Sequence, residues 1–360
     1  MRAAILTGYG DDMVIEDVAA PAPGPRDVVV RIDASGVCHS DLSVAAGNVP
    51  MPPPIILGHE GAGTVLEVGK EVSRVAVGDI VIASFVPACG NCFFCLRDQA
   101  QLCETMGAHT MVAKGTRTDG STVTGMSGLG TFADVMTVDE TMLVKVETDL
   151  PAEQLALIGC GITTGVGAAL NTAQVAPGST VAVIGCGGVG QSVVQGARIA
   201  GAARIFAIDP VELKRKTAEQ FGATDLVDPS QGDVLEQIRA ATGGRGVDFA
   251  FEVIGLPETM VQAYQLARRG GTAVIVGMAR FDAVVTFPAI SLFAENKRIL
   301  GTMYGGAQVR RDFPRFVALA ETGRLDLGTM VSRRIHLHEV NDAFRAMEAG
   351  EVIRSVICDH

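Results

Sequence analysis

Thr180-Val181-Ala182-Val183-Ile184-Gly185-Cys186-Gly187-Gly188-Val189-Gly190 is a β-branched apolar run ending in G-x-G-x-x-G. The run predicts a buried strand over 180–184, the glycines a tight turn, and the residues after them a helix over 189–200. Alone, the glycine string is common; between a strand and a helix it marks a dinucleotide loop. Gly185 allows the turn, Gly187 lets backbone amides approach a pyrophosphate, and Gly190 lets the helix pack closely on the strand. Gly188 precedes that helix and Val189 begins it, at an N-terminus that favours an anion. Asp209 lies nineteen residues beyond Gly190, at the end of the next predicted strand, 204–208. A carboxylate there accepts hydrogen bonds from an adenosine ribose and repels a 2′-phosphate, so the expected cofactor is NAD.

Downstream, predicted helices (211–221, 234–241, 258–267) alternate with predicted strands (226–227, 247–254, 272–276). Such alternation implies a parallel, doubly wound sheet with helices on both faces. Upstream of Leu150-Pro151 the pattern differs: short runs at 28–32, 63–68 and 79–83, separated by Gly and Pro, predict a mostly antiparallel, barrel-like domain over 27–146. Beyond Tyr304 a helical stretch and strands at 334–337 and 354–358 return, and this tail is expected to pack on the first domain. The chain is thus α/β, and 360 residues exceed what a single core usually supports.

A net charge of -11 with no basic run argues against nucleic acid as a partner. The apolar stretches at 181–184 and 273–276 are far shorter than a membrane span of about 18 residues, and no signal peptide precedes the first strand. A cytoplasmic protein with no membrane partner is expected.

Cys89, Cys92, Cys95 and Cys103 follow the spacing C-x2-C-x2-C-x7-C. Two disulfides are the alternative, but clustered thiols in an intracellular chain point to a closed four-thiolate zinc site that folds its own loop. Three further segments carry ligand-type residues: Gly36-Val37-Cys38-His39-Ser40-Asp41, Gly58-His59-Glu60-Gly61 and Gly159-Cys160-Gly161. Each is ambiguous alone, since a lone buried Cys is usually a small hydrophobe.

With Gly78-Asp79, the 89–103 lobe, 159–167, the glycine loop with Asp209, and Ile353-Arg354-Ser355, these segments make the chain resemble the zinc-dependent medium-chain alcohol dehydrogenases over essentially its full length. The resemblance implies a GroES-like catalytic domain at 1–161 and 303–360 and a Rossmann domain at 162–302, with the active site in the cleft between them. It implies two zinc ions per chain, one structural in the lobe and one catalytic on Cys38, His59 and Cys160, whose fourth position is left to water or substrate. Glu60 would stand near that metal and Asp41 would orient the His59 ring.

The same resemblance gives Ser40 the hydroxyl that accepts the substrate proton. Relatives carry His or Tyr three residues later, where this chain has Ser43, so the end of the relay departs from the pattern. His39 and Arg354 would face the cofactor pyrophosphate, Lys214 the adenosine ribose and Thr164 the nicotinamide, with Val276 a further cofactor contact. Pocket positions are Ser40, Val49, Phe85, Met278 and Met303. Cys186, Cys358, His109, His336, His338 and His360 are read as packing or surface residues.

The implied reaction is hydride transfer between a primary alcohol, medium-chain aliphatic or aromatic, and NAD, reversible to aldehyde reduction. The alternative is the glutathione-dependent formaldehyde dehydrogenase branch, which the segments at 38–41 and 56–63 resemble. That branch holds its thiol adduct with an Asp and an Arg where this chain has Val49 and Gly107. A zinc-free quinone or enone reductase and a non-enzymatic protein that keeps fold and cofactor are the competing readings. The resemblance also implies a homodimer or homotetramer joined through the Rossmann domains, with 273–278 as the candidate edge.

Overall fold

The computed structural model describes residues 1–359; His360 lies outside the described residues. Contacts divide the chain into two units, Met1–Gly161 with Gln308–His360, and Ile162–Ala307. The second boundary falls beyond the expected 302/303. Its cause is the turn Tyr304–Gly306, where a Cβ on Gly305 would lie 2.3 Å from the Thr163 carbonyl oxygen, so glycine lets this turn pack with the second unit.

In the first unit, strand Asp27–Gly36 organises the larger of two sheets. It pairs antiparallel with Glu60–Val68, Val135–Asp139 and Ser355–Asp359. Val28, Val30 and Ile32 alternate into the core with Val65, Val81 and Leu143, the period-2 burial of a sheet with one covered face. The tail does return to this unit. Register then places Gly36 opposite both Glu60 and Val356, which brings segments distant in sequence to one spot.

The second unit is a six-stranded parallel sheet. In chain order its strands are Thr180–Ile184, Arg204–Ile208, Asp225–Val227, Val247–Glu252, Ala267–Ile275 and Arg298–Gly301. They are arranged 3-2-1-4-5-6, so the switch point lies at the carboxyl end of the first strand. The expected edge at 273–278 is corrected: strand Ala267–Ile275 is paired on both sides, and the edge is Arg298–Gly301. Between these two strands in sequence, Phe281 and Phe293 are 93% and 84% exposed.

The helical run Ala152–Thr172, passed over in the sequence reading, is long and apolar enough to cross a membrane by length and composition. It is 78% buried inside the protein, as expected of a core helix.

Candidate active site

Cys38 caps helix His39–Ala45 and Asp41 is the third residue of its first turn. The Asp41 carboxylate, fully buried, accepts hydrogen bonds from the backbone amides of Cys38 (2.9 Å) and Gly58 (3.0 Å) and from His59 Nδ1 (2.9 Å). A carboxylate only accepts, so Nδ1 carries the proton and Nε2 keeps its lone pair for a metal. Gly58 has φ +87°, and a Cβ there would lie 2.5 Å from Phe132 Cδ1 and Thr131 Oγ1. That conformation and close approach need glycine.

Cys160 comes from a π-helical turn, Ile158–Ile162, within the long helix. Its neighbours are small for a reason: a Cβ on Gly159 would stand 3.0 Å from the Ala83 carbonyl oxygen, and one on Gly161 3.1 Å from Arg354 Nη1. One donor atom each from Cys38, His59, Glu60 and Cys160 lie within 4.8 Å of one another, all buried. Two thiols, one imidazole nitrogen and one carboxylate fit a tetrahedral zinc site of the kind that exchanges a ligand. Glu60 thus stands inside the donor set, closer than the outer role read from sequence. Its Oε1 accepts from Gly161 N (3.2 Å) and its Oε2 from Arg354.

Arg354, read from sequence as a cation for the cofactor pyrophosphate, is buried and ion-paired with Glu60. Gly36 makes room for this pair, since a Cβ there would meet Glu60 Oε2 at 2.1 Å. Burial pushes the Glu60 carboxyl up to about 7, against the pull of Arg354. The Cys38 thiol is drawn well below its ordinary value by hydrogen bonding to Cys160, whose own thiol is pushed up by the same contact. Phe85 meets the His59 ring edge-on at 5.8 Å. Ser40 and Ser43 are half-buried at i and i+3 of helix His39–Ala45, so both hydroxyls lie on one face, while His39 is exposed. Val49 packs on the core of the smaller sheet.

The four lobe cysteines form the second donor set, also within 4.8 Å. The Sγ separations are 3.8 Å for Cys89 and Cys95 and 4.0 Å for Cys92 and Cys103. A tetrahedron with zinc–sulfur arms of 2.3 Å has edges of about 3.8 Å, whereas a disulfide needs about 2.05 Å. The thiols are free, which removes the disulfide alternative. Around them Phe93, Leu96 and Leu102 are exposed, so the lobe has little apolar core of its own. The Cys95 amide, donating to Cys92 Sγ at 3.4 Å, draws that thiol down to about 6, while burial pushes Cys95 up to about 12. Closing the set on a metal must displace the Cys95 proton.

Sequence reading missed Arg310, which donates to the Ala88 carbonyl oxygen and lies in the field of Cys89 and Cys95. No local signal could reveal a contact over 222 positions. Replacing Cys103 by serine should release one zinc per chain and lower the melting temperature by several degrees, with kcat of the folded fraction changed less than about threefold. Metal analysis, a thermal melt and an active-fraction assay together check this.

In the second unit the glycine loop has the geometry of a phosphate cradle. Gly185 has φ +90°, a Cβ on Gly190 would sit 1.9 Å from the Gly185 carbonyl oxygen, and one on Gly187 would meet nothing within 4 Å. Space at Gly187, directly before helix Gly188–Ile199, fits a pyrophosphate at a helix N-terminus. Asp209 Oδ2 accepts from Cys186 N and Oδ1 from Val211 N, both at 2.8 Å. The backbone carbonyl of Lys214 is tied to the loop helix through Gln191 (2.8 Å). Gly165 lets helix Thr163–Gly167, which carries Thr164, approach Val189: a Cβ there would be 2.4 Å from the Val189 carbonyl oxygen. The Val276 amide donates to the Glu252 carbonyl oxygen (2.8 Å), joining two loops at the same sheet end. Met278 and Met303 are exposed in this unit.

Among the other Cys and His, Cys186 is buried and its thiol pushed up by burial, while His336 pairs with Asp359 (3.3 Å) and stacks on His338.

Residues 24–148 match the alcohol dehydrogenase GroES-like domain and residues 188–322 the zinc-binding dehydrogenase domain. An S-(hydroxymethyl)glutathione dehydrogenase of Synechocystis sp. is 39% identical, over 99% of both chains. The benzyl alcohol dehydrogenase of Acinetobacter calcoaceticus superposes with a TM-score of 0.93 at 30% identity, covering 100% of this chain and 99% of that one. A zinc-binding dehydrogenase of Sinorhizobium meliloti 1021, solved with NADP, superposes at 0.83 with 30% identity, covering 99% and 98%. Matched along its whole length by dehydrogenases, and by both of their domains in order, the chain belongs to the zinc-dependent alcohol dehydrogenase family and is an oxidoreductase of zinc and a nicotinamide cofactor.

Proposed function

We propose that this enzyme oxidises primary alcohols, aromatic or medium-chain aliphatic, with NAD, and reduces the corresponding aldehydes. The observation that carries the reading is the buried set of Cys38, His59 and Cys160, with Asp41 fixing the imidazole. These three residues would hold the catalytic zinc, and Cys89, Cys92, Cys95 and Cys103 a second, structural one. When bound at the first set, zinc supplies Lewis acidity that lowers the pKa of a substrate hydroxyl.

Thr164 and Val276 would orient a bound nicotinamide, which would supply the hydride acceptor; Ser40 Oγ would take the hydroxyl proton as it passes its own on. Ser43 supplies a hydroxyl on the same helix face, so the proton leaves by hydroxyl and water rather than through an imidazole. Gly187 would receive the pyrophosphate, and His39 is the further cation proposed for it. Asp209 and Lys214 receive the adenosine ribose, and the Asp209 carboxylate disfavours a 2′-phosphate. Phe85, beside His59, would give the substrate an aromatic wall; Val49, Met278 and Met303 are the further apolar candidates for substrate contact.

The S-(hydroxymethyl)glutathione dehydrogenases among the relatives favour a second reading, in which the substrate is the glutathione adduct of formaldehyde. Against it, Val49 is apolar and packs on the core, and Gly107 has no side chain to meet a carboxylate. Turnover of benzyl alcohol, octanol and formaldehyde with and without glutathione decides between the two. Oxidation of the free alcohols is expected, and strict dependence on the thiol would overturn the proposal.

A homo-oligomer, two- or fourfold, is supported by the exposed Phe281, Val284, Ile290 and Phe293 in the segment leading to the edge strand Arg298–Gly301. Six thiols assigned to metal need reducing conditions, which supports a cytoplasmic location.

A further inference from the structure

On a chain of net charge -11, one cavity of the second unit is strongly basic. It has a volume of about 890 Å³ and is lined by Arg204, Arg239, Arg245, Arg268, Arg269 and Lys297, against the two carboxylates Asp248 and Glu295. It opens at the amino-terminal ends of the strands: Thr180 and Arg204 are the first residues of theirs, and Asp248 is the second of its own. The dinucleotide loop leaves the other end of strand Thr180–Ile184. Five residues at about 3.3 Å each put roughly 16 Å of strand between the two places. The cofactor therefore does not account for these charges.

Three of the cations are held in place. Arg204 is forked onto Asp225 (2.8 and 2.6 Å) and lies over the Phe206 ring. Arg268 contacts Asp248, whose other oxygen accepts from the Thr180 amide (2.7 Å) and hydroxyl (2.8 Å), so this carboxylate is fully engaged. Lys297 pairs with Glu295 at 2.9 Å. The remaining three, Arg239, Arg245 and Arg269, make no salt bridge among the described residues, although Glu295 lies in the field of Arg269. Guanidinium groups gathered without counter-charge repel one another, and an anion with several oxygens relieves this by forked hydrogen bonds. Apolar lining is confined to Ala241, Ala267 and glycines, which gives a nucleobase or acyl chain nothing to pack on.

We propose that this cavity binds a compact polyanion carrying two or more phosphoryl groups and little apolar body, at a site separate from the dinucleotide loop. Its volume lies within the roughly 300–1,000 Å³ of small-molecule sites.

Tripolyphosphate serves as the probe, titrated calorimetrically into the whole zinc-loaded protein with saturating NAD, at fixed ionic strength, beside sulfate and a single-stranded oligonucleotide. Saturable binding of tripolyphosphate is expected, at least about tenfold tighter than sulfate and unchanged by NAD. The combined variant Arg239→Ala, Arg245→Ala, Arg269→Ala should weaken it about 100-fold, at a few kcal/mol for three charge-assisted contacts, without moving the melting temperature or NAD affinity. Should that variant fail to fold, Arg245→Glu alone, on an exposed turn, should weaken binding about tenfold. No saturable binding, equal binding by the variant, displacement by NAD, or tighter binding of the oligonucleotide would each overturn the proposal. The titration does not read alcohol oxidation, so its outcome is independent of the substrate assigned above.

Discussion

Replacing His59 by alanine should lower kcat/KM for alcohol oxidation by about 10⁴-fold, on the order of 5.5 kcal/mol of transition-state stabilisation, and take the zinc content from two ions per chain to one. The size follows from what the ring does. It is 3% exposed, held by Asp41 through Nδ1, and its Nε2 is left for the metal. Without it the two thiols and Glu60 remain, a donor set of the same negative charge with its one neutral ligand lost. Asp41 keeps the amides of Cys38 and Gly58, so the loop should stay folded and the loss should appear in metal content and rate together. Two zinc ions with wild-type turnover would remove His59 from the mechanism.

The second large effect concerns the cofactor. Asp209→Gly should shift the ratio of kcat/KM for NADP over NAD by about 10³-fold, since it deletes charge-assisted hydrogen bonds to the ribose worth about 1.5–3 kcal/mol and a like-charge clash of similar size with a 2′-phosphate. The structure adds a complication, for Asp209 is 5% exposed and already accepts the amides of Cys186 and Val211. Removing it leaves the Cys186 amide unpaired under the glycine loop, so NAD affinity should fall further than the ribose contacts alone require. Asp209→Asn, which keeps one acceptor oxygen, separates the two contributions: its melting temperature should lie between wild type and Asp209→Gly. An unchanged cofactor ratio in both variants would show that Asp209 does not face the ribose.

The glycine loop and the four-cysteine lobe were legible because each is local: consecutive residues carry the strand, turn and helix at 180–199, and fifteen residues carry all four thiols. Cys38, His59 and Cys160 span 122 positions, and family resemblance alone singled them out. What was not legible depends on pairings that no window contains. The register of Glu60–Val68 and Ser355–Asp359 on strand Asp27–Gly36 brings Glu60 to Arg354 over 294 positions. The edge strand Arg298–Gly301 is four residues long, too short for alternation to show. In the same way, Tyr304-Gly305-Gly306 gave no hint that this turn packs against 163–167 and moves the unit boundary.

The discontinuity of the first unit has a consequence for synthesis. Residues 162–307 are one continuous stretch, so the second unit can complete its sheet as soon as that stretch has left the ribosome. The first unit begins earlier but finishes last, because the Ser35–Gly36 end of strand Asp27–Gly36 lacks its second neighbour until Ser355–Asp359 emerges. Until then Glu60 has no guanidinium, and the buried donors at Cys38, His59 and Cys160 face an uncompensated carboxylate. The lobe likewise waits for Arg310 to reach Ala88. A nascent chain whose last tenth has yet to emerge would therefore carry a finished nucleotide fold and an unfinished site at Cys38, His59 and Cys160.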